Sequence, residues 1–197
     1  MKKILGVASA LVVSVAGLIL VRTLMFTPGA SNSETLVSIP VDEELVTAHM
    51  SEAIRFKTVS VAVEQTPDYE PFSDFVSWVK ATYPEVQQHL QLTMIADHTM
   101  LYHWRGSNAE LKPILLTAHY DTVPVVPGSE GDWTHPPFAG VVANDHVWGR
   151  GALDDKSGVI VMLEATTMLL QQGFSPGRTV YFSFSHDEER GGITGAR

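Results

Sequence analysis

Apolar and polar residues follow each other along this chain in blocks whose spacing predicts helices and strands. Apolar residues recur at three- and four-residue steps over residues 41–56 and 71–89, which is typical of amphipathic helices, and Pro84 is expected to break the second one. An apolar block at residues 158–170 predicts a buried helix that Gly173 ends. Short apolar or alternating blocks predict strands at residues 90–95, 100–104, 113–118, 141–148 and 178–185.

The order of these elements predicts the fold class. Two helices, four strands, one helix and one strand in succession indicate an α/β domain with a mixed sheet over residues 41–197. The block at residues 113–118 is apolar throughout, as expected of a central strand. Residues 58–69 and 125–140 are predicted to be loops.

The N-terminal residues predict a membrane anchor. Lys2 and Lys3 precede residues 4–21, which carry no charge and are long enough to cross a bilayer as one helix. The two lysines favour a cytoplasmic N-terminus, so residues 1–26 are expected to anchor an extracytoplasmic domain through a Ser-, Pro- and Gly-rich linker at residues 27–40. Two alternatives stay open, a signal peptide whose cleavage releases a secreted domain and a buried helix of a soluble protein.

Composition limits the classes of partner and the chemistry of any metal site. A length of 197 residues suits one ordinary domain, and a net charge of −9 argues against a nucleic-acid partner. The chain has no cysteine, so a metal ion would be held by histidine and carboxylate ligands.

Three polar clusters follow apolar strand-like blocks and point to such a site. They are His119-x-Asp121, Asp154-Asp155 and Glu188-Glu189. Each cluster alone is more simply explained as a polar strand end, a helix cap or a solvated acidic loop. Together, at strand ends that converge on one rim of a sheet, they predict a two-metal site with ligands and a general base.

Each cluster has the chemistry that such a site needs. An imidazole at His119 can bind a metal ion while Asp121, two residues on, orients the ring. A carboxylate at Asp154 can bridge two cations, because the preceding Gly-Arg-Gly permits unusual backbone angles. Of the adjacent Glu188 and Glu189, one can be a ligand and the other a base. No serine-hydrolase elbow, cysteine nucleophile, dinucleotide fingerprint or His-Glu-x-x-His motif offers another catalytic centre.

At these residues the chain resembles the M20 family of zinc metallopeptidases. The motifs are Thr-Ala-His-Tyr-Asp-Thr-Val-Pro at 117–124, Trp-Gly-Arg-Gly-Ala-Leu-Asp-Asp-Lys at 148–156, and Asp-Glu-Glu at 187–189 followed by Gly-Gly at 191–192 and Gly-Ala at 195–196. Trp-Thr-His-Pro-Pro-Phe at 133–138 and the segment at 53–60 are similar to the carboxypeptidase S branch, which includes N-acyl amino acid hydrolases. The resemblance covers residues 41–197.

The resemblance implies a zinc-peptidase catalytic domain with helices on both faces of a mixed sheet, and a role for each site residue. His119 would bind one zinc ion, Asp154 would bridge both, and Glu189 would bind the second. Asp121 would orient His119, and Glu188 would be the general base in hydrolysis of small peptides or N-acyl amino acids. The peptide bond between Asp154 and Asp155 is expected to be cis.

The chain also departs from the family. Members carry a further acidic zinc ligand, a zinc-binding histidine near the C-terminus and a lid domain that often forms a homodimer, and none of these lies before Arg197. We therefore expect an incomplete domain that has negligible amidase activity alone and dimerises only with a lid. The alternatives are a non-catalytic membrane-tethered remnant and an M28-type aminopeptidase.

Overall fold

Residues 2–27 and 39–195 are described by the computed structural model. The chain divides into two compact units, Met1–Pro40 and Val41–Arg197. Most of the predicted linker, residues 28–38, lies outside the described residues. The predicted division into anchor, linker and incomplete catalytic domain stays a prediction.

The first unit contains one helix, α1 (Lys2–Leu24), whose residues from position 10 onward are exposed. Among the residues that the structure describes, no helix combines the length and the apolarity that crossing a membrane requires. The transmembrane anchor predicted for residues 1–26 is therefore not supported.

The second unit begins with three helices, α2 (Glu43–Arg55), α3 (Glu70–Thr82) and α4 (Pro84–His89). The Asp42 carboxylate accepts a hydrogen bond from the Leu45 amide at 3.0 Å and so caps α2. Pro84 starts α4 in the first turn, where a proline needs no amide hydrogen, so the predicted break at this residue is confirmed.

The remaining elements form a mixed sheet, a hairpin and a long helix. Antiparallel pairing joins the first strand to the second and the second to the sixth, and the third strand pairs parallel to the sixth, so that the third and first strands are the edges of the sheet. The fourth and fifth strands pair only with each other in the described chain. The elements are β1 (Gln91–Ile95), β2 (Thr99–Trp104), β3 (Ile114–His119), β4 (Val141–Ala143), β5 (His146–Trp148), α5 (Lys156–Gln171) and β6 (Val180–Ser185).

The core lies between one face of the sheet and the helices. Alternate residues of β2 and β6 point into it together with side chains of α3, α4 and α5. The opposite face, which carries Leu101, His103, Tyr181 and Ser183, is only half-buried. The expectation of helices on both faces is therefore wrong for the described residues, although the α/β class and the mixed sheet are confirmed.

Two strand predictions also need correction. The strand β3 is an edge strand in the described sheet, and Ile114, Leu115 and Leu116 are 40%, 59% and 41% exposed, so it is not the central strand that its apolar sequence predicts. The single strand predicted at 141–148 is a hairpin, because Asn144 and Asp145 take positive φ angles of 53° and 60° and reverse the chain.

Candidate metal centre

Parallel pairing of β3 and β6 brings two of the three polar clusters to one rim of the sheet. His119, the last residue of β3, lies opposite Ser185, the last residue of β6. Residues that follow the two strands therefore emerge side by side. The third cluster arrives on the turn that leads into α5, whose N-cap is Asp155.

The predicted metal ligands converge at this rim. One ligand atom from each of His119, Asp154 and Glu189 lies within 4.8 Å of the other two. The Nε2 atom of His119 contacts Asp154 Oδ1 at 2.9 Å and lies 3.8 Å from Glu188 Oε2. An imidazole and two carboxylates at this spacing fit a divalent metal ion such as zinc.

The carboxylate of Asp121 connects His119 to the acidic pair. Its Oδ1 atom accepts a hydrogen bond from the Glu188 amide and its Oδ2 atom accepts one from the Glu189 amide, both at 3.1 Å. The same Oδ1 lies 3.3 Å from His119 Nδ1. Asp121 is fully buried, so one fixed carboxylate positions the ring of His119 and the backbone of both glutamates.

The electrostatics of the rim favour a bound cation. Burial alone would lower the pKa of His119, but the hydrogen bond and negative charge of Asp121, together with Asp154, raise it to about 9. Burial and the charges of Asp154, Asp121 and Glu188 raise the pKa of Glu189, although His119 opposes them. Four carboxylates crowd one imidazole, so the negative charges outnumber the positive charge of His119, and a divalent ion would offset the excess.

The backbone before α5 has the unusual shape that the Gly-Arg-Gly segment predicts. Gly151 has a φ of +82°, and a β-carbon there would lie 2.5 Å from Thr122 Cγ2. The peptide bond between Asp154 and Asp155 is cis, as expected. The Asp155 carboxylate caps α5 by accepting a hydrogen bond from the Gly158 amide at 3.2 Å, so the two adjacent acids have separate roles.

Two supporting residues were missed by reasoning from the sequence. Ser60 is buried and its hydroxyl donates a hydrogen bond to Asp121 Oδ2 at 2.6 Å. Lys156 is fully buried, its ammonium donates to the carbonyls of Ala53 and Phe56 at 2.9 and 2.6 Å, and burial lowers its pKa to about 7. Lys156 thereby ties the start of α5 to the end of α2. The motif at 148–156 contains this lysine, but its spacing does not reveal the contacts.

The residues that flank Glu188 and Glu189 stabilise their turn. Asp187 is buried, and its carboxylate accepts hydrogen bonds from the amide and hydroxyl of Thr194 at 2.7 and 2.8 Å and from the Gly195 amide at 3.1 Å. Burial would raise the pKa of Asp187, but these hydrogen bonds lower it. His186 is buried, and its Nδ1 atom lies 2.7 Å from the Thr99 hydroxyl, a contact that helps to hold the turn against β2.

Comparison with known proteins adds the family. Residues 115–197 match the family model described as peptidase family M20/M25/M40. The probable carboxypeptidase S-like 2 of Dictyostelium discoideum is 45% identical over 149 residues, which are 75% of this chain and 28% of that protein.

The chain belongs to the M20 peptidase family.

Other M20 relatives and structures agree with this assignment. The mouse N-fatty-acyl-amino acid synthase/hydrolase PM20D1 is 35% identical over 147 residues, covering 74% of this chain and 28% of that protein. The fold is similar to that of an M20 family metallo-carboxypeptidase from Sulfolobus solfataricus, with a TM-score of 0.61 and 24% identity over 78% of this chain and 33% of that one. The chain thus spans about a third or less of the length of each of these three proteins. An M28-type enzyme is not favoured.

Proposed function

We propose that the whole protein is a metal-dependent amidohydrolase that cleaves an amide bond in small peptides or N-acyl amino acids. The observation that carries this proposal is the convergence of His119, Asp154 and Glu189 within 4.8 Å, with Glu188 beside them. The names of the M20 relatives, a carboxypeptidase S-like protein and an N-fatty-acyl-amino acid synthase/hydrolase, support the substrate class.

Within this proposal the metal is zinc and the site takes two ions. His119 and Asp154 would hold one ion, and Asp154 and Glu189 the other. When bound, zinc would supply Lewis-acid chemistry, which polarises an amide carbonyl and makes water more acidic. The Asp154 side chain is 78% exposed and can therefore turn toward both ions.

The proton transfers are assigned to Glu188. Its side chain is 58% exposed and borders the cluster, so it can reach a water molecule and the substrate amide. Glu188 takes a proton from the water as the oxygen attacks the carbonyl carbon. It then gives that proton to the leaving nitrogen, so that an amine and a carboxylic acid are released. Asp121 keeps the backbone of Glu188 in place.

Replacement of Glu188 tests this assignment. We expect Glu188→Gln in the zinc-loaded whole protein to lower kcat for an N-acyl amino acid by about 10²–10⁴-fold, because a general base contributes about that much. Zinc content, measured by atomic emission, should not change. Glu110→Gln makes the same chemical change at an exposed residue outside the cluster and serves as the control. Retained turnover in Glu188→Gln would refute the role of this residue.

The 197-residue chain alone is proposed to have little activity. His119, Asp154 and Glu189 are three ligands for two ions, so with Asp154 shared each ion would have only two protein ligands. Catalytic zinc ions usually have three protein ligands. We therefore expect weak zinc binding in a calorimetric titration of this chain. Tight binding of two ions together with turnover would contradict this expectation. The predicted extracytoplasmic location and the homodimer stay predictions.

A further inference from the structure

A groove beside the candidate metal centre is lined by two tryptophans. Trp133, from the loop before β4, and Trp148, from β5, line a space of about 460 Å³, a volume that suits a small organic group. His135 and Leu153 also line this space, which we call the tryptophan groove.

The walls of the tryptophan groove are held in place by specific contacts. The indole nitrogen of Trp148 donates a hydrogen bond to the Ala143 carbonyl at 2.8 Å, and the His135 ring packs edge-on against the indole with centroids 5.2 Å apart. The guanidinium carbon of Arg150 lies 5.1 Å from the centroid of the Trp133 ring. These contacts restrain both indoles, and restrained walls lower the entropic cost of binding a ligand.

The tryptophan groove and the candidate metal centre are formed by adjacent residues of the chain. Leu153 lines the groove and directly precedes Asp154, whose carboxylate contacts His119. Leu153 is 89% exposed and lies beside the cluster of carboxylates. A substrate whose amide lies at His119 and Asp154 can therefore extend an apolar group over Leu153 into the groove.

The charge of the residues that line the groove favours binding of the uncharged end of an N-acyl amino acid. No lysine or arginine is among the described residues that line the groove, and its one carboxylate is that of Asp132. The Asp132 carboxylate would oppose a substrate carboxylate there, and the neighbouring Arg150 guanidinium already packs on the Trp133 ring. The uncharged end of an N-acyl amino acid, its acyl chain, fits the apolar aromatic walls.

We propose that the tryptophan groove binds the apolar acyl chain of an N-acyl amino acid and so sets the preference for chain length. This inference rests on the proposed function, because it assumes that an amide substrate lies at the metal centre. Each acyl methylene that leaves water strengthens binding by about fourfold when it is fully buried.

Binding measurements with a pair of probes test the proposal. N-acetylglycine and N-hexanoylglycine carry the same carboxylate and amide and differ in the length of the acyl chain. Calorimetric titrations use the whole zinc-loaded protein with Glu188→Gln, which prevents turnover during the experiment. We expect N-hexanoylglycine to bind at least about tenfold more tightly than N-acetylglycine, since four more methylenes are partly buried.

Substitutions in the groove and outside it give the decisive comparison. Trp133→Ala should reduce the ratio of the two dissociation constants to about threefold or less, and Trp133→Phe should retain most of it. Val161→Ser is the control, because Val161 is a 61% exposed apolar residue on α5 and does not line the groove. A thermal melt of each variant identifies any loss of folding, and Trp133→Phe then provides the test in a folded protein.

The outcomes separate the groove from the proposed function. A ratio that is the same in Trp133→Ala and in the parent, or equal affinity of the parent for both probes, would overturn the groove proposal. Hydrolysis of both probes by the protein that retains Glu188 is measured separately. If neither probe is hydrolysed but binding depends on Trp133, the proposed hydrolase function is rejected and the groove proposal is supported. If both probes are hydrolysed but affinity does not depend on chain length, the groove proposal is rejected and the hydrolase function is supported.

Discussion

Removal of the Ser60 hydroxyl should weaken both the fold and the metal centre. Ser60 is 4% exposed, and its hydroxyl donates to Asp121 Oδ2 at 2.6 Å. In Ser60→Ala this buried oxygen retains only the donor from the Glu189 amide, at 3.1 Å. Asp121 is fully buried, so water cannot easily replace the lost donor.

The magnitude follows from the charge of the acceptor. A hydrogen bond to a charged group contributes about 1.5–3 kcal/mol, so the free energy of unfolding should fall by about 2 kcal/mol. In a chain of this size that loss lowers the thermal midpoint by about 4–8 °C. Because Asp121 also positions His119 and Glu189, zinc affinity should fall by about tenfold, as it does when other supporting residues of metal sites are replaced.

Two measurements on the same variants check this prediction. Urea unfolding of the metal-free protein gives the stability change, and competition with a coloured chelator gives the zinc affinity. Ser77→Ala is the matched control, because Ser77 is exposed and its hydroxyl bonds only to the Ser73 carbonyl of its own helix, at 2.8 Å. In an Asp121→Asn background the effect of Ser60→Ala should shrink to about 1 kcal/mol, since the bond then joins neutral groups.

The result that would refute the reasoning is a Ser60→Ala protein whose stability lies within about 0.5 kcal/mol of the parent, as for an ordinary surface substitution. A protein that loses stability but keeps its zinc affinity would limit Ser60 to the fold and disprove its action through Asp121.

Three other predictions concern the core, the turn before α5 and the metal. Phe75→Ala should lower the free energy of unfolding by about 3–5 kcal/mol in urea titrations, because Phe75 is fully buried and stacks on Tyr120 at 4.5 Å; a loss below about 2 kcal/mol would contradict this. Gly151→Ala should lower it by at least about 2 kcal/mol, since its β-carbon meets Thr122 at a positive φ, and an unchanged thermal midpoint would refute the clash. Chelation of zinc should lower the thermal midpoint of the zinc-loaded protein. The free energy of unfolding should fall by about 2.7 kcal/mol relative to protein in free zinc at 100 times its dissociation constant, and an unchanged midpoint would contradict this.

Elements whose periodicity comes from local packing were predictable from the sequence. The helices α2 and α5 and the strands β1, β2 and β6 lie within a few residues of their predicted positions, because each buries one regular stripe or face of apolar side chains. The break at Pro84 depends on one residue and its missing amide hydrogen, so it too was readable.

The errors arise where a position depends on distant neighbours. A run of apolar residues looks the same in a central strand and in an edge strand such as β3, because only the pairing of the sheet distinguishes them. The turn at Asn144 and Asp145 interrupts one apolar block, and its positive φ angles create a hairpin where the pattern indicated a single strand. The half-buried face of β2 and β6 likewise becomes visible only when the helices are placed.

For the candidate site, reasoning from the sequence found the groups with a distinctive chemistry and missed those that hold them. Motif order and strand ends pointed to His119, Asp154 and the acidic pair that follows β6, and the resemblance singled out Glu189 of that pair as the ligand. The structure brings His119, Asp154 and Glu189 together. Ser60 and Lys156 act through hydrogen bonds to positions that are 61 and about 100 residues away in the chain. No local spacing records such contacts, and a buried lysine or serine has no signature of its own in a sequence.

The hydrogen bonds of Asp121 indicate that the fold itself positions the residues of the candidate metal centre. Its buried carboxylate accepts bonds from Ser60, Glu188 and Glu189, so its negative charge is already solvated by the protein. These bonds come from two separate parts of the chain, Ser60 and the turn at Glu188 and Glu189, and each would have to break before the ligand cluster could disperse. Because folding has already ordered these ligands, binding of a cation would carry a smaller entropic cost. This favours affinity and a fixed geometry at the rim. The exposed ends of the cluster, Asp154 and Glu188, keep the freedom that the proposed metal binding and proton transfer would require.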